Sequence, residues 1–363
     1  MATSIITDFD SIYLTSHLPE EVSFETDAAS LKIDVYVNNR KVFTSDYYPF
    51  NEEVTIRDIR SIVEAAMTDW RLTMTTMKIV ATEPKITKTN MTYDEDGNMT
   101  VDFDEEDEEP ECVTSDSIKI IYSRLKSSDT SDDFLECSFL TTRKSALVPK
   151  GGQVNLSNYT RAYAVGSNIA LIYYSRTSIP GKIFTFQSIM GKMQSETEKI
   201  ITACLTYQHF KQIVDKALGY SCNVHGVEYQ SGGRYFNIYF TDEEPTDVFS
   251  FLNAFNIEER FYLYGATTVK TEVDRNEAVC GVYTQFYDEK VKVKYEVETT
   301  LLNIDEAKWL NQMLTSSKVS HALEDGSFEE VLISDITSEV SNSDKDLVRL
   351  KFSWKYADGN ERI

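Results

Sequence analysis

The closing stretch of the chain alternates without a break. Val348, Leu350, Phe352, Trp354 and Tyr356 are apolar, and Arg349, Lys351, Ser353 and Lys355 stand between them. Strict period two gives a strand one apolar and one polar face, whereas a helix would scatter the same five side chains around its axis. The alternation recurs at Val291, Val293, Tyr295 and Val297, and again at Phe236, Ile238 and Phe240. Abundant Tyr (21) and Phe (19) suit such strands, because aromatic and β-branched side chains pack well on a pleated surface. The expected fold is therefore mainly β, with two sandwich- or barrel-like β domains and a few short amphipathic helices.

Three stretches break the period-two pattern. Asp58 is placed to cap a helix whose apolar stripe is Ile59, Ile62, Val63, Ala66, Met67 and Trp70. Phe210, Ile213, Val214, Ala217 and Leu218 share a second helical face, with Gly219 as its stop. Asp305 opens a third helix that runs through Leu314 and carries Trp309, Leu310 and Met313. Helices are thus expected near 58–70, 208–218 and 305–314. Leu31, Ile33, Val35 and Val37 run into Asn38-Asn39, a dipeptide that tolerates positive φ, so a hairpin is expected there. Ile183–Phe186 reads as a strand, and residues 259–299 read as several consecutive strands.

A length of 363 residues suits two domains. Pro180-Gly181 marks the expected boundary, giving an N-terminal β-rich domain over 1–179 and a C-terminal one over 180–363. The first contains an acidic insert at 94–111, with eleven Asp or Glu and neither Lys nor Arg. Formal net charge is −23, so the other 345 residues carry −12. This sign repels phosphate backbones, and no nucleic-acid partner is expected. No run of 18 apolar residues occurs, so no membrane span is expected, and the acidic start at Asp8 and Asp10 is unlike a secretory signal. Five scattered cysteines (Cys112, Cys137, Cys204, Cys222 and Cys280) suit free thiols better than a disulfide framework.

Each candidate site also has a simpler reading. Asp94, Asp96, Asn98, Asp102 and Glu105 have calcium-loop offsets, but Met99 stands where the sharp turn needs glycine, so a hairpin with an acidic extension is preferred. Cys204, His209, Cys222 and His225 are chemically able to bind zinc, yet their spacing is unusual and buried thiols explain them more simply. Ser221 lies in Gly219-Tyr220-Ser221-Cys222-Asn223, where Asn223 replaces the second glycine of a nucleophile elbow. Gly181-Lys182 and Gly191-Lys192 lack the glycine spacing of a phosphate loop. No catalytic, cofactor-binding or metal residue is assigned, and no enzyme is expected.

Several motifs carry a resemblance. They are Phe139-Leu140-Thr141-Thr142, Phe251-Leu252-Asn253-Ala254-Phe255-Asn256-Ile257-Glu258-Glu259, Tyr295-Glu296-Val297-Glu298-Thr299, Glu306-Ala307-Lys308-Trp309-Leu310 and Ile333-Ser334-Asp335 before the Trp354 strand. Together they span roughly 117–363 and resemble tail and baseplate structural proteins of tailed bacteriophages and prophages. The resemblance implies a virion component made in the host cytoplasm. It further implies a subunit that forms a homo-oligomeric ring and contacts other tail or baseplate proteins. The acidic insert is no part of the pattern. A carbohydrate-binding or adhesin-like module is the alternative, since exposed tyrosine or tryptophan rings serve as stacking platforms.

Overall fold

The computed structural model describes residues 3–84, 88–93, 99–104, 111–126, 134, 139–160, 168–175, 182–188, 199–231, 234–337 and 347–357. The chain is mainly β and divides into two units, Met1–Thr130 and Ser131–Ile363. Pro180-Gly181, where the boundary is expected, lies outside the described residues; the strands before and after it, Asn168–Ser175 and Lys182–Ser188, pair antiparallel in one sheet.

The first unit contains β1 (Ser4–Ile5), β2 (Ile12–Leu14), β3 (Val22–Glu25), β4 (Leu31–Val37), β5 (Arg40–Tyr47), β6 (Glu53–Ile56), α1 (Ile59–Asp69), β7 (Met74–Thr82), β8 (Lys88–Tyr93), β9 (Met99–Asp104), β10 (Cys112–Thr114) and β11 (Ile118–Ile121). One sheet has the order β2-β11-β7-β4-β5, with β10 also on β7, and a second has the order β1-β3-β6. Both share one core, in which Ile33, Val35 and Ile79 meet Phe24, Ile56 and the α1 residues Ile59, Val63 and Met67. Asn38 and Asn39 take φ of 51° and 58° and close the β4–β5 hairpin as their sequence suggests. Asp58 sits at the start of α1 with φ 61°, and its side chain makes no capping bond, contrary to expectation. Held in the left-handed region, it lacks the extended backbone with which a capping carboxylate reaches back to the first turn.

The second unit begins with β12 (Ser145–Pro149), β13 (Gln153–Thr160), β14 (Asn168–Ser175), β15 (Lys182–Ser188), β16 (Lys199–Thr206), α2 (Tyr207–Leu218), β17 (Asn223–Ser231) and β18 (Arg234–Thr241). A five-stranded sheet, β12-β18-β17-β14-β15, and the β13–β16 ribbon enclose a core with α2. Thr206 caps α2 by accepting the His209 N–H at 3.2 Å, and Gly219 ends it at φ 75°, a conformation costly for residues with a Cβ.

The rest comprises β19 (Asp247–Leu252), β20 (Glu258–Leu263), β21 (Ala266–Cys280), β22 (Tyr283–Glu298), α3 (Ile304–Leu314), β23 (Val319–Ala322), β24 (Phe328–Thr337) and β25 (Lys351–Tyr356). They form one sheet with the order β20-β19-β23-β24-β25-β22-β21. This sheet curls into an open barrel: at the root of β21 the Thr267 hydroxyl donates to Asp247 on β19, while no ladder among the described residues joins β21 to β19 or β20. The interior is filled by Phe249, Phe251, Val297, Phe352 and Trp354, and α3 inserts Trp309, Leu310 and Met313. Asn303, rather than Asp305, caps α3; it accepts the Glu306 N–H at 2.9 Å while Glu306 reaches back to the Asn303 N–H.

Candidate interaction surface

The hairpin β21–β22 outruns the barrel that it belongs to. Its strands hold 15 and 16 residues and pair from Ala266↔Glu298 to Cys280↔Tyr283, about 50 Å of ladder. Among the described residues, β25 meets β22 only over Tyr295–Glu298. Beyond that point the hairpin continues as a two-stranded arm, interrupted by a register shift between Asn276 and Glu277.

The arm has two unlike faces because side chains alternate along a strand. Thr267, Val269, Thr271 and Val273 on β21 lie opposite Val297, Tyr295, Val293 and Val291 on β22. Val297 and Tyr295 belong to the barrel core, so this face carries the core's apolar stripe outward into solvent. Val269 is 58% exposed and Val273 43%. The opposite face is charged and internally paired: Lys270 contacts Glu296 at 2.7 Å and Lys292 contacts Asp274 at 3.1 Å. The tip adds Val279, Val282, Tyr283, Phe286 and Tyr287, all exposed, with Val282 at 89%. Arg275 and Glu289, paired across the ladder, separate the stripe from the tip, and the two exposed apolar stretches mark the arm as the candidate contact site.

The root is braced. Lys294 meets Asp335 on β24 at 2.5 Å, and this bond raises the lysine pKa and lowers that of the carboxyl. Glu298 takes Lys351 at 3.1 Å and Arg349 at 3.0 Å, which hold its carboxyl below the usual range. Gly265 enters the arm where a methyl group would collide with the Glu298 carbonyl oxygen.

The resemblance motifs gather in two places. Tyr295–Thr299, Ile333–Asp335 and Trp354 all lie at the arm's root. The others meet in a buried polar cluster. Glu259 accepts from Asn253 Nδ2 and from Trp309 Nε1, both at 2.5 Å. Asn253 also donates to the Leu140 carbonyl at 2.9 Å, and Gln312 donates to the Thr142 hydroxyl at 2.6 Å. The Arg143 guanidinium stacks 3.8 Å from the Trp309 ring centre; burial pulls its pKa down to about 10, which leaves it charged at neutral pH. Arg143 and Trp309 also line a cleft of about 250 Å³ with Tyr264, whose hydroxyl burial pushes up to about 12.

The residues considered for metal or nucleophile chemistry stay dispersed. Cys204 is exposed on β16, His209 is exposed on α2, and Cys222 is buried. The His225 ring bonds the Ser175 hydroxyl at 2.6 Å. Among the described residues, no three His, Cys, Asp or Glu are placed to hold a metal ion. Ser221 accepts from Lys211 Nζ at 2.7 Å. Met99, Val101 and Asp102 fall on β9, which pairs with β8 as a hairpin. Asp94, Asp96, Asn98, Glu105, Cys137, Gly181, Gly191 and Lys192 lie outside the described residues. No helix among the described residues is long and apolar enough to cross a membrane. The chain matches no protein-family model and no curated protein.

Sequence reasoning missed the arm as a single object. Its signal was present in the unbroken alternation of Val291, Val293, Tyr295 and Val297, opposed by Val269 and Val273 at the same spacing.

Proposed function

We propose that this chain is a structural subunit of a phage or prophage tail or baseplate that works by protein–protein contact and self-association. The observation that carries the reading is the arm: a core-grade apolar stripe extended past the barrel and left open to solvent. An isolated two-stranded hairpin is marginal in water, so an arm of this length gains stability from being covered. The tail and baseplate resemblance agrees with it, because its motifs build the root of this arm and the buried cluster of the same unit. The test is twofold. The purified chain should exceed monomer mass in light scattering, and mass spectrometry should find it in assembled particles. A monomer at high concentration that is absent from particles rejects the proposal.

A second reading rests on the five-stranded sheet. Leu147, Tyr239 and Tyr173 lie in one register row across β12, β18 and β14, with Tyr235 further along β18, and all four side chains are exposed. Exposed tyrosine rings in a row suit stacking on sugar rings. Loss of glycan retention in a Tyr239→Ala, Tyr235→Ala variant, with self-association intact, would favour this reading.

A further inference from the structure

We propose that the free edge of β21 pairs antiparallel with the β21 of a second copy, about a two-fold axis at Thr271. This deepens the assembly reading above and rests on it. Among the described residues β21 pairs in a ladder with β22 alone and ends its sheet, and its sequence holds no proline. Proteins that stay monomeric keep such edges short or blunt them, because an open edge templates another strand. The opposite end of the sheet is not equivalent, since β20 lies against β12 and β13.

Charge selects a second copy as the occupant. Residues 270–294 hold five basic and five acidic side chains, so the arm is neutral in a chain of −23. Two copies can approach here without the repulsion that acts over the rest of their surfaces. The edge is also self-complementary. An axis at Thr271 sets Lys270 opposite the second copy's Glu272, and Val269 opposite its Val273, each twice. Moving the axis one residue, to Lys270 or to Glu272, places a like-charged pair across it, which is destabilising. The symmetric segment 268–274 lies between Thr267, whose hydroxyl is taken by Asp247, and the register shift after Asn276. A two-fold contact closes on two copies, so it joins subunits in pairs. The two apolar stripes then fuse into one broader face, through which pairs can build a larger assembly.

The test exchanges charges. Lys270→Glu and Glu272→Lys each put like charges opposite one another in a pair of identical chains. Their equimolar mixture restores opposite charges at all four positions. Both residues are exposed, and the Lys270–Glu296 ion pair is of the surface type that contributes little to folding. Circular dichroism should therefore match wild type. Sedimentation should show wild-type dimers, each single variant associating about tenfold more weakly, and the mixture recovering wild-type association. Association that is unchanged in both single variants overturns the β21 pairing while leaving assembly through another surface intact. A wild-type chain that is monomeric at every concentration also overturns the pairing. The assembly reading then depends on whether the chain is found in particles.

Discussion

Tyr295 lies flat against Trp354, with ring centres 4.0 Å apart and planes 9° apart, and the two face each other directly across β22 and β25. This pair sits where the arm leaves the barrel. On Trp354's side the contact is backed by His321, stacked at 4.5 Å, and by Phe249, edge-on at 5.8 Å. His321 is in turn held by Asp247 at 2.8 Å, and Asp247 receives the Thr267 hydroxyl from the arm. A ring of contacts thus links both arm strands to the barrel wall.

Trp354→Ala should remove the centre of that ring. Truncating a fully buried aromatic leaves a cavity and costs about 3–5 kcal/mol. Urea unfolding of the variant should show a loss of that size. A change below about 1 kcal/mol would mean that the arm's root is held by its backbone ladder instead.

Gly265→Ala tests the root from the backbone side. The added methyl group meets the Glu298 carbonyl oxygen, which belongs to the ladder and has no flexible side chain to move away. The substitution should destabilise the chain by about 1–3 kcal/mol, seen as a lowered melting temperature. Gly151→Ala, with open space around its Cβ position, is the control and should change the melting temperature little.

Acid should loosen the brace at Glu298. Lys351 and Arg349 hold its carboxyl below the ordinary 4.5, so the folded state binds this proton less readily than the unfolded state. The resulting stabilisation is present above pH 4.5 and is lost as pH falls through the lowered value. Melting curves of wild type and Glu298→Gln should differ at neutral pH and converge in acid. A gap that persists at low pH would show that charge is not what Glu298 contributes.

Much of the fold can be read along the chain because each signal is local. Asn38-Asn39 fixes a turn through its own backbone preference, and Gly219 stops α2 for the same reason. The α3 cap is legible too, as Asn303 three residues before Glu306, the spacing of a capping box. The arm was not legible in this way. Val291 and Val293 obey the same period-two rule as Val297, and whether such a residue is covered depends on strands distant in sequence. The division after Thr130 is hard to read on the same grounds: a proline and a glycine between two strands, as at 180–181, look alike whether the strands pair or part.

Glu259 provides the sharpest test of the buried cluster. The residue is 6% exposed and its carboxylate accepts from Asn253 and Trp309, with the Arg143 guanidinium stacked on the same indole ring. Removing it takes from the buried Arg143 cation the stronger of its two nearby carboxylates, Glu306 being the other, and leaves two buried N–H groups without their acceptor. Glu259→Ala should therefore cost about 3–5 kcal/mol. Trp309→Phe keeps most of the packing and removes a single donor, so it should cost about 1–3 kcal/mol. The two losses should not add, because the second substitution has no bond left to break once the first is made. A double-mutant cycle should return a coupling of about 0.5–3 kcal/mol. Strict additivity would show that Glu259 stabilises the unit through Asn253 and the Arg143 charge, with the indole bond contributing nothing of its own.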